Sequence, residues 1–358
     1  LFRGVAERVS AYSAAAAPSA AAPNAAPDGE IERPDAAADS GGIASHHVGG
    51  AYKNGRCNAR DLANLAWALA RTDGCGGAVD VSAAFAGLAR LVVGERRSFD
   101  ARGLATTAWA FARAGAEGVE GGGVLFERLG EEMAAKISAA GIGISAEATP
   151  RDLANCAWAF ARACRPNDAL FAALASAIRD TVDGDPDAFN AQDLVNAAWA
   201  FAKTGRRDRD AFDAFEKAAS VGDALRTKRL LASSNHEGGG PRVDPRHVAN
   251  LVWAFSTARR GSEALFSALA GVAERECAAY SPGALAAVAW TFANVDEADG
   301  RTVDGRRRST LSPAWRSGAF RAFAEAAERA ILESGPGAFT PEEAENVEWA
   351  FKRAGTRA

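Results

Sequence analysis

The chain has 358 residues and a formal charge of −4, from 41 Lys and Arg against 45 Asp and Glu, which is not the basic surplus of many nucleic-acid binders. Alanine supplies 88 positions, so the 48% hydrophobic content is mostly small side chains, a composition that favours close-packed helices over the Val-, Ile-, Thr- and Tyr-rich strands of a β domain. No uninterrupted apolar run approaches the ~18 residues of a membrane span, which excludes an integral membrane protein.

Residues 1–50 are an Ala/Pro/Ser-rich stretch with few large apolar side chains, as in Ala14-Ala15-Ala16-Ala17-Pro18-Ser19, and are expected to be disordered. Two readings stand for this segment. It is a low-complexity linker, or it is the remnant of an organelle transit peptide, a type that is acid-poor and Ser-rich. Its first 27 residues hold two arginines and the single acid Glu7.

From residue 51 to 358 the sequence repeats one short phrase, centred on Trp67, Trp109, Trp158, Trp199, Trp253, Trp290 and Trp349. The copies read DLANLAWALART, GLATTAWAFARA, DLANCAWAFARA, DLVNAAWAFAKT, HVANLVWAFSTA, ALAAVAWTFANV and AENVEWAFKRAG, with only Trp315 outside. The tryptophans lie 42, 49, 41, 54, 37 and 59 residues apart, a spacing that suits a two-helix unit with elastic loops. Nine residues before each stands an N-cap: Asn58, Asp100, Thr149, Asn190, Asp244, Ser281 and Thr340. Pro150, Pro245, Pro282 and Pro341 follow at the first helical position, where a missing N–H costs nothing. Gly74, Gly115, Gly205 and Gly355 are placed to close four of these helices.

A companion helix precedes each phrase from the second onward, marked by Phe85, Phe126, Phe171, Phe212, Phe266 and Phe320, with a second large apolar residue three positions later. The expected layout is a lone helix at 58–73 followed by helix pairs at 78–115, 123–164, 168–205, 209–260, 262–297 and 315–355. Residues 221–243 and 296–314 are expected to be loops. One pair cannot bury its own apolar face, so the predicted fold is all-α, a right-handed α-solenoid of stacked antiparallel pairs forming one array.

With tryptophan at 0° on a 100° wheel, the residues at −5 and +2 point to the companion helix, and alanines at −4, −1 and +3 make a smooth flank. A third stripe holds the tryptophan, the residue three before it and the residue four after it. The first of those is Asn64, Asn155, Asn196, Asn250 and Asn346, with Thr106 and Ala287 in the other copies. The last is Arg71, Arg113, Arg162, Lys203 and Arg353, with Thr257 and Asn294 in the others. Such a stripe can read a polymeric ligand: bases on phosphate, amides on base edges, an aromatic for stacking. Each position also has a packing explanation, because tryptophan can fill space between repeats, asparagine can satisfy loop backbone, and a last-turn cation suits the helix dipole. From Arg301 to Arg321 six arginines stand against Asp304 alone. Arg306, Arg307 and Arg308 are thus either a phosphate-attracting loop or a solvated insertion.

Catalytic constellations are missing. His46, His47, His236 and His247 have no HExxH spacing, and no phosphate-cradling Gly-rich loop opens a βα unit. Cys57, Cys75, Cys156, Cys164 and Cys277 form an odd set without a CxxC pair, which fits a reducing compartment and no zinc site. Neither an enzyme nor a cofactor is expected.

The phrase Leu153-Ala154-Asn155-Cys156-Ala157-Trp158-Ala159-Phe160-Ala161-Arg162, preceded by a helix of the kind Ala169-Leu170-Phe171-Ala172-Ala173-Leu174, resembles the octotricopeptide repeat of green-algal organelles. It is also similar to related repeats grouped with an RNA-editing substrate-binding-complex domain and with FAST-kinase-type proteins. The resemblance spans about 51–355. It implies an α-solenoid that binds single-stranded RNA in a chloroplast or mitochondrion, about one nucleotide per repeat, in transcript stabilisation, processing, editing or translation. The alternative is a protein- or peptide-binding scaffold of armadillo or TPR type, which the near-neutral charge favours.

Overall fold

The computed structural model describes residues 57–71, 81–139, 148–220, 244–298, 301–303, 306–308, 313–334 and 339–355. The segments expected as a linker (1–50) and as a long loop (221–243) lie outside them, as do Cys75, Gly74, His46, His47 and His236. The described residues are helical apart from one short ribbon. The phrase helices are α1 (Ala59–Leu69), α3 (Ala101–Arg113), α5 (Pro150–Arg162), α7 (Ala191–Lys203), α9 (Pro245–Ala258), α11 (Pro282–Ala298) and α13 (Pro341–Gly355). The companions are α2 (Val81–Glu95), α4 (Gly122–Ala139), α6 (Asp168–Gly184), α8 (Arg209–Ser220), α10 (Glu263–Glu276) and α12 (Pro313–Ser334).

Local capping chemistry sets where the phrase helices begin. Asn58, Asp100, Thr149, Asn190, Asp244, Ser281 and Thr340 each accept a hydrogen bond from a first-turn amide. In α1, α5 and α13 an acid at the third position, Asp61, Asp152 or Glu343, returns a carboxylate to the cap amide and closes a reciprocal box. At the other end Gly115 and Gly205 take positive φ (63° and 72°) where the chain must leave the helix. Cys164 and Arg259 adopt that conformation without being glycine.

The chain divides into two compact units, with the break between Ala188 and Phe189. The helix pair expected at 168–205 is divided by it, α6 in the first unit and α7 in the second. In the first unit α1 packs on α3 and α3 on α5, while α2 packs on α4 and α4 on α6. In the second, α7, α9, α11 and α13 pack in succession, and α8, α10 and α12 do the same. Each unit is therefore two-layered, phrase helices against companions.

An aromatic seam joins the layers. The residue two after the tryptophan meets a companion phenylalanine: Phe111 on Phe85 at 4.8 Å and Phe160 on Phe126 at 5.2 Å in the first unit, Phe255 on Phe212 at 5.3 Å and Phe201 on Phe215 at 5.7 Å in the second. These four contacts are edge-to-face, the arrangement the ring quadrupole favours. Within each layer, alanines at the −4, −1 and +3 positions, such as Ala154, Ala157 and Ala161, are buried and let the helices approach closely. Gly130 serves the same end between α4 and α5, since a Cβ there would stand 3.1 Å from the Phe160 ring and 3.0 Å from Asn167 Nδ2. A Cβ at Gly123 would stand 3.7 Å from the Arg165 guanidinium, so the start of α4 meets the end of α5 and the two run antiparallel. Helices α3 and α4 pack on each other and are joined by only residues 114–121, so α4 turns back along α3, and α3 and α5 run parallel.

Residues 296–314 are not a loop throughout, as the sequence had suggested. Helix α11 continues to Ala298, and β1 (Arg301–Val303) pairs antiparallel with β2 (Arg306–Arg308), Val303 opposite Arg306. Thr302 and Val303 are β-branched and favour extended backbone, a signal that the surrounding run of arginines masks. No helix among the described residues is long and apolar enough to cross a membrane.

Candidate nucleic-acid interface

Within each unit, tryptophans of neighbouring phrase helices pair. Trp109 and Trp158 lie 6.5 Å apart at 34°, Trp199 and Trp253 at 6.4 Å and 34°, Trp290 and Trp349 at 6.3 Å and 30°. In each of these three pairs the phrase helices present the same face to one another. Trp109, Trp158 and Trp199 are only 4–8% exposed and pack rather than offer a stacking platform, while Trp253, Trp290 and Trp349 are half-buried. Trp67, on the first helix, is 39% exposed.

The asparagine positions divide between the units. Asn64 is exposed and Asn155 half-buried, as is Thr106, so the first unit offers amides and a hydroxyl at its surface. In the second unit Asn196 and Asn250 are 5% and 3% exposed and serve the interior. Asn196 Oδ1 accepts from Gln192 Nε2 at 2.8 Å, and Gln192 Oε1 accepts from His247 Nε2 at 2.8 Å, a polar chain that links α7 to α9. Asn250 Oδ1 and Trp199 Nε1 are buried without a hydrogen-bond partner among the described residues. Asn346 is half-buried.

The cations at the last-turn position are at the surface: Arg71, Arg113, Arg162 and Lys203 are all exposed. Arg71 lies over the Trp67 ring at 4.7 Å and Lys203 over the Trp199 ring at 5.9 Å. Where the base is replaced, Asn294 Nδ2 donates to its own helix at Trp290 O and Thr257 is half-buried. The side chains of Arg353, Arg306, Arg307 and Arg308 lie outside the described residues.

The stripe extends one turn further than −3. Seven residues before the tryptophan falls at 20° on the same wheel, and there stand Arg60, Arg102 and Arg151, the first two exposed and the third half-exposed. The second unit has Gln192, Arg246, Gly283 and Glu342 in their place. The wheel angle was the signal that identifies this row, and sequence inspection confined to −3 through +4 passes over it. Six arginines therefore flank the Asn/Thr and Trp rows of the first unit, three at each end of the helices.

No protein-family model matches the chain, and no curated protein matches it.

Charge is sorted by layer in the first unit. Its phrase segments, 58–71, 100–115 and 149–165, hold seven bases against three acids, and those acids, Asp61, Asp100 and Asp152, are engaged in caps. Its companion segments, 81–98, 117–139 and 168–188, hold six bases against eleven acids. A near-neutral total thus conceals one basic and one acidic layer. In the second unit the phrase segments 190–205, 244–260, 281–298 and 340–355 hold six bases against eight acids.

Arg246 is held by its own cap, Nη2 donating to Asp244 Oδ2 at 2.8 Å and Nε to Oδ1 at 3.1 Å. Burial raises the Asp244 carboxyl, but the hydrogen bonds from the Arg246 side chain and backbone and the positive charges of His247 and Arg246 outweigh it, and its pKa lies below the ordinary value. A depressed carboxyl adds stability that is present above the unfolded pKa, about 3.9, and is lost as pH falls through the folded value. Asp244→Asn keeps a cap but removes the charge. It is expected to lower the stability of the wild-type protein by roughly 0.5–1 kcal/mol at neutral pH, with the gap closing in melts below about pH 4. A gap unchanged at low pH would contradict the pairing.

Among the described residues no group of three His, Cys, Asp or Glu side chains is placed to hold a metal ion. Cys156 and Cys277 are buried, and burial pushes both thiols above their ordinary range, away from the thiolate a nucleophile needs. Cys57 and Cys164 are exposed.

Proposed function

We propose that the chain is a non-catalytic repeat protein of the right-handed α-solenoid type that binds single-stranded RNA, and that its organellar role is in transcript stabilisation, processing, editing or translation. The observation that carries this reading is the phrase-helix face of the first unit, six arginines around surface Asn64, Thr106 and Asn155 with the acids confined to caps or the opposite layer. Guanidinium groups supply phosphate contacts, and amides and hydroxyls supply bonds to base edges. The buried indoles of Trp109 and Trp158 pack between the helices of the first unit and leave the contacts to the polar rows on either side. The resemblance to the octotricopeptide repeat supports placement in a chloroplast or mitochondrion.

A protein- or peptide-binding scaffold is the competing reading, and the surplus of acids on the phrase segments of the second unit favours it there. Titration of the full chain with a random single-stranded RNA pool at two salt concentrations separates the two. RNA binding is expected at low salt and is expected to weaken steeply as salt rises, because each phosphate contact releases counterions. Failure to retain RNA at low salt would leave the scaffold.

A further inference from the structure

We infer that the RNA backbone follows the row Arg60, Arg102 and Arg151, at the N-terminal ends of α1, α3 and α5, and that the row Arg71, Arg113 and Arg162 faces the bases. The inference rests on the RNA-binding reading above and assigns the two rows different tasks.

Three observations distinguish them. A cation in the last turn is favoured by the helix dipole, so Arg71, Arg113 and Arg162 are stabilised without a ligand. An arginine in the first turn opposes that dipole, yet all three phrase helices of the first unit carry one. Their helix-end amides are not the donors, because Asn58, Asp100 and Thr149 already cap them; the guanidinium groups carry the row. Second, Arg71 is laid over the Trp67 ring at 4.7 Å, which spends its reach on the indole face. Third, the rows are eleven residues apart, about 16 Å along a helix, too far for one backbone to follow both. Between them lie Asn64, Thr106 and Asn155, with polar atoms suited to base edges. Because α3 and α5 run parallel, Arg102 and Arg151 stand at the same edge of adjacent helices, as Arg113 and Arg162 do at the other. A strand with its phosphates on the first edge lays its bases across the amide row toward the second.

The test uses the full chain and a fluorescein-labelled random single-stranded RNA pool, with affinity measured by anisotropy across a salt series. Two triple variants are compared with wild type: Arg60→Gln, Arg102→Gln, Arg151→Gln, and Arg71→Gln, Arg113→Gln, Arg162→Gln. Loss of three phosphate contacts lowers the slope of log affinity against log salt by about 2 for single-stranded RNA. That drop is expected from the first triple, with less than half of it from the second. Lysine at positions 60, 102 and 151 is expected to restore the slope, since a point charge suffices for phosphate. Far-UV circular dichroism and melting confirm that each variant folds. An equal or larger drop in the second triple overturns the assignment while leaving RNA binding intact. Wild-type protein that binds no RNA at low salt overturns both.

Discussion

Phe212→Ala is expected to destabilise the protein by about 3–5 kcal/mol. Phe212 is 1% exposed and lies edge-to-face with Phe215 on its own helix (5.5 Å) and with Phe255 on α9 (5.3 Å). The remaining buried apolar residues of α8 are Ala211, Ala214, Phe215 and Ala219, so the two phenylalanines supply most of the apolar area that this helix can bury. The methyl groups of the alanines on α8 are too short to fill the void, and cost rises with the volume that stays empty. Leu91→Ala, at a residue 56% exposed, is expected to change stability by no more than about 0.5 kcal/mol. Urea denaturation of both variants provides the check. Similar midpoints for Phe212→Ala and wild type would show that the aromatic seam does not hold the layers.

Features governed by chemistry within a few residues were legible in the sequence. Each phrase helix starts after its Asn, Asp, Ser or Thr because an N-cap needs only its own side chain and an amide two or three residues on. The all-α class followed from the same local signals. Features that depend on the neighbour across the packing were less legible. Asn155 and Asn196 occupy the same place in the phrase, yet one is half-buried and the other is bonded to Gln192, because α7 and α9 place Gln192 against His247. The strands at 301–303 and 306–308 were hidden by their arginines, which read as a solvated run although Thr302 and Val303 favour extended backbone. The first-turn arginines were overlooked for a different reason. They sit two residues after the N-cap, in a first turn whose sequence signal is dominated by the cap, and they share the tryptophan's face only at the helical angle.

Neutralising Arg60, Arg71, Arg102, Arg113, Arg151 and Arg162 to glutamine is expected to weaken binding of a random single-stranded RNA pool by about three orders of magnitude at moderate salt. The companion layer of the same unit provides a matched control, since it also holds six bases: Arg90, Arg96, Arg97, Arg128, Lys136 and Arg179. Neutralising those removes the same charge from the same unit. Several of them are in local pairs, as Arg128 with Glu131 at 2.8 Å, and surface pairs of this kind contribute little to stability. The control is expected to bind RNA within about threefold of wild type, because its cations are already among acids and lie on the opposite layer. Equal losses in the two sets would mean that total charge, rather than the face that carries it, attracts the RNA, and the phrase-helix interface would have to be abandoned.

The opposed layers of the first unit also act before contact. A body positive on one side and negative on the other experiences a torque in the field of an approaching polyanion, so it rotates during the diffusive encounter and arrives with its arginines forward. Salt should therefore slow capture more than it hastens escape at low ionic strength. On the proposed RNA-binding reading, the acidic layer of the first unit repels the part of the strand it did not catch, so a long strand meets that unit on one side only.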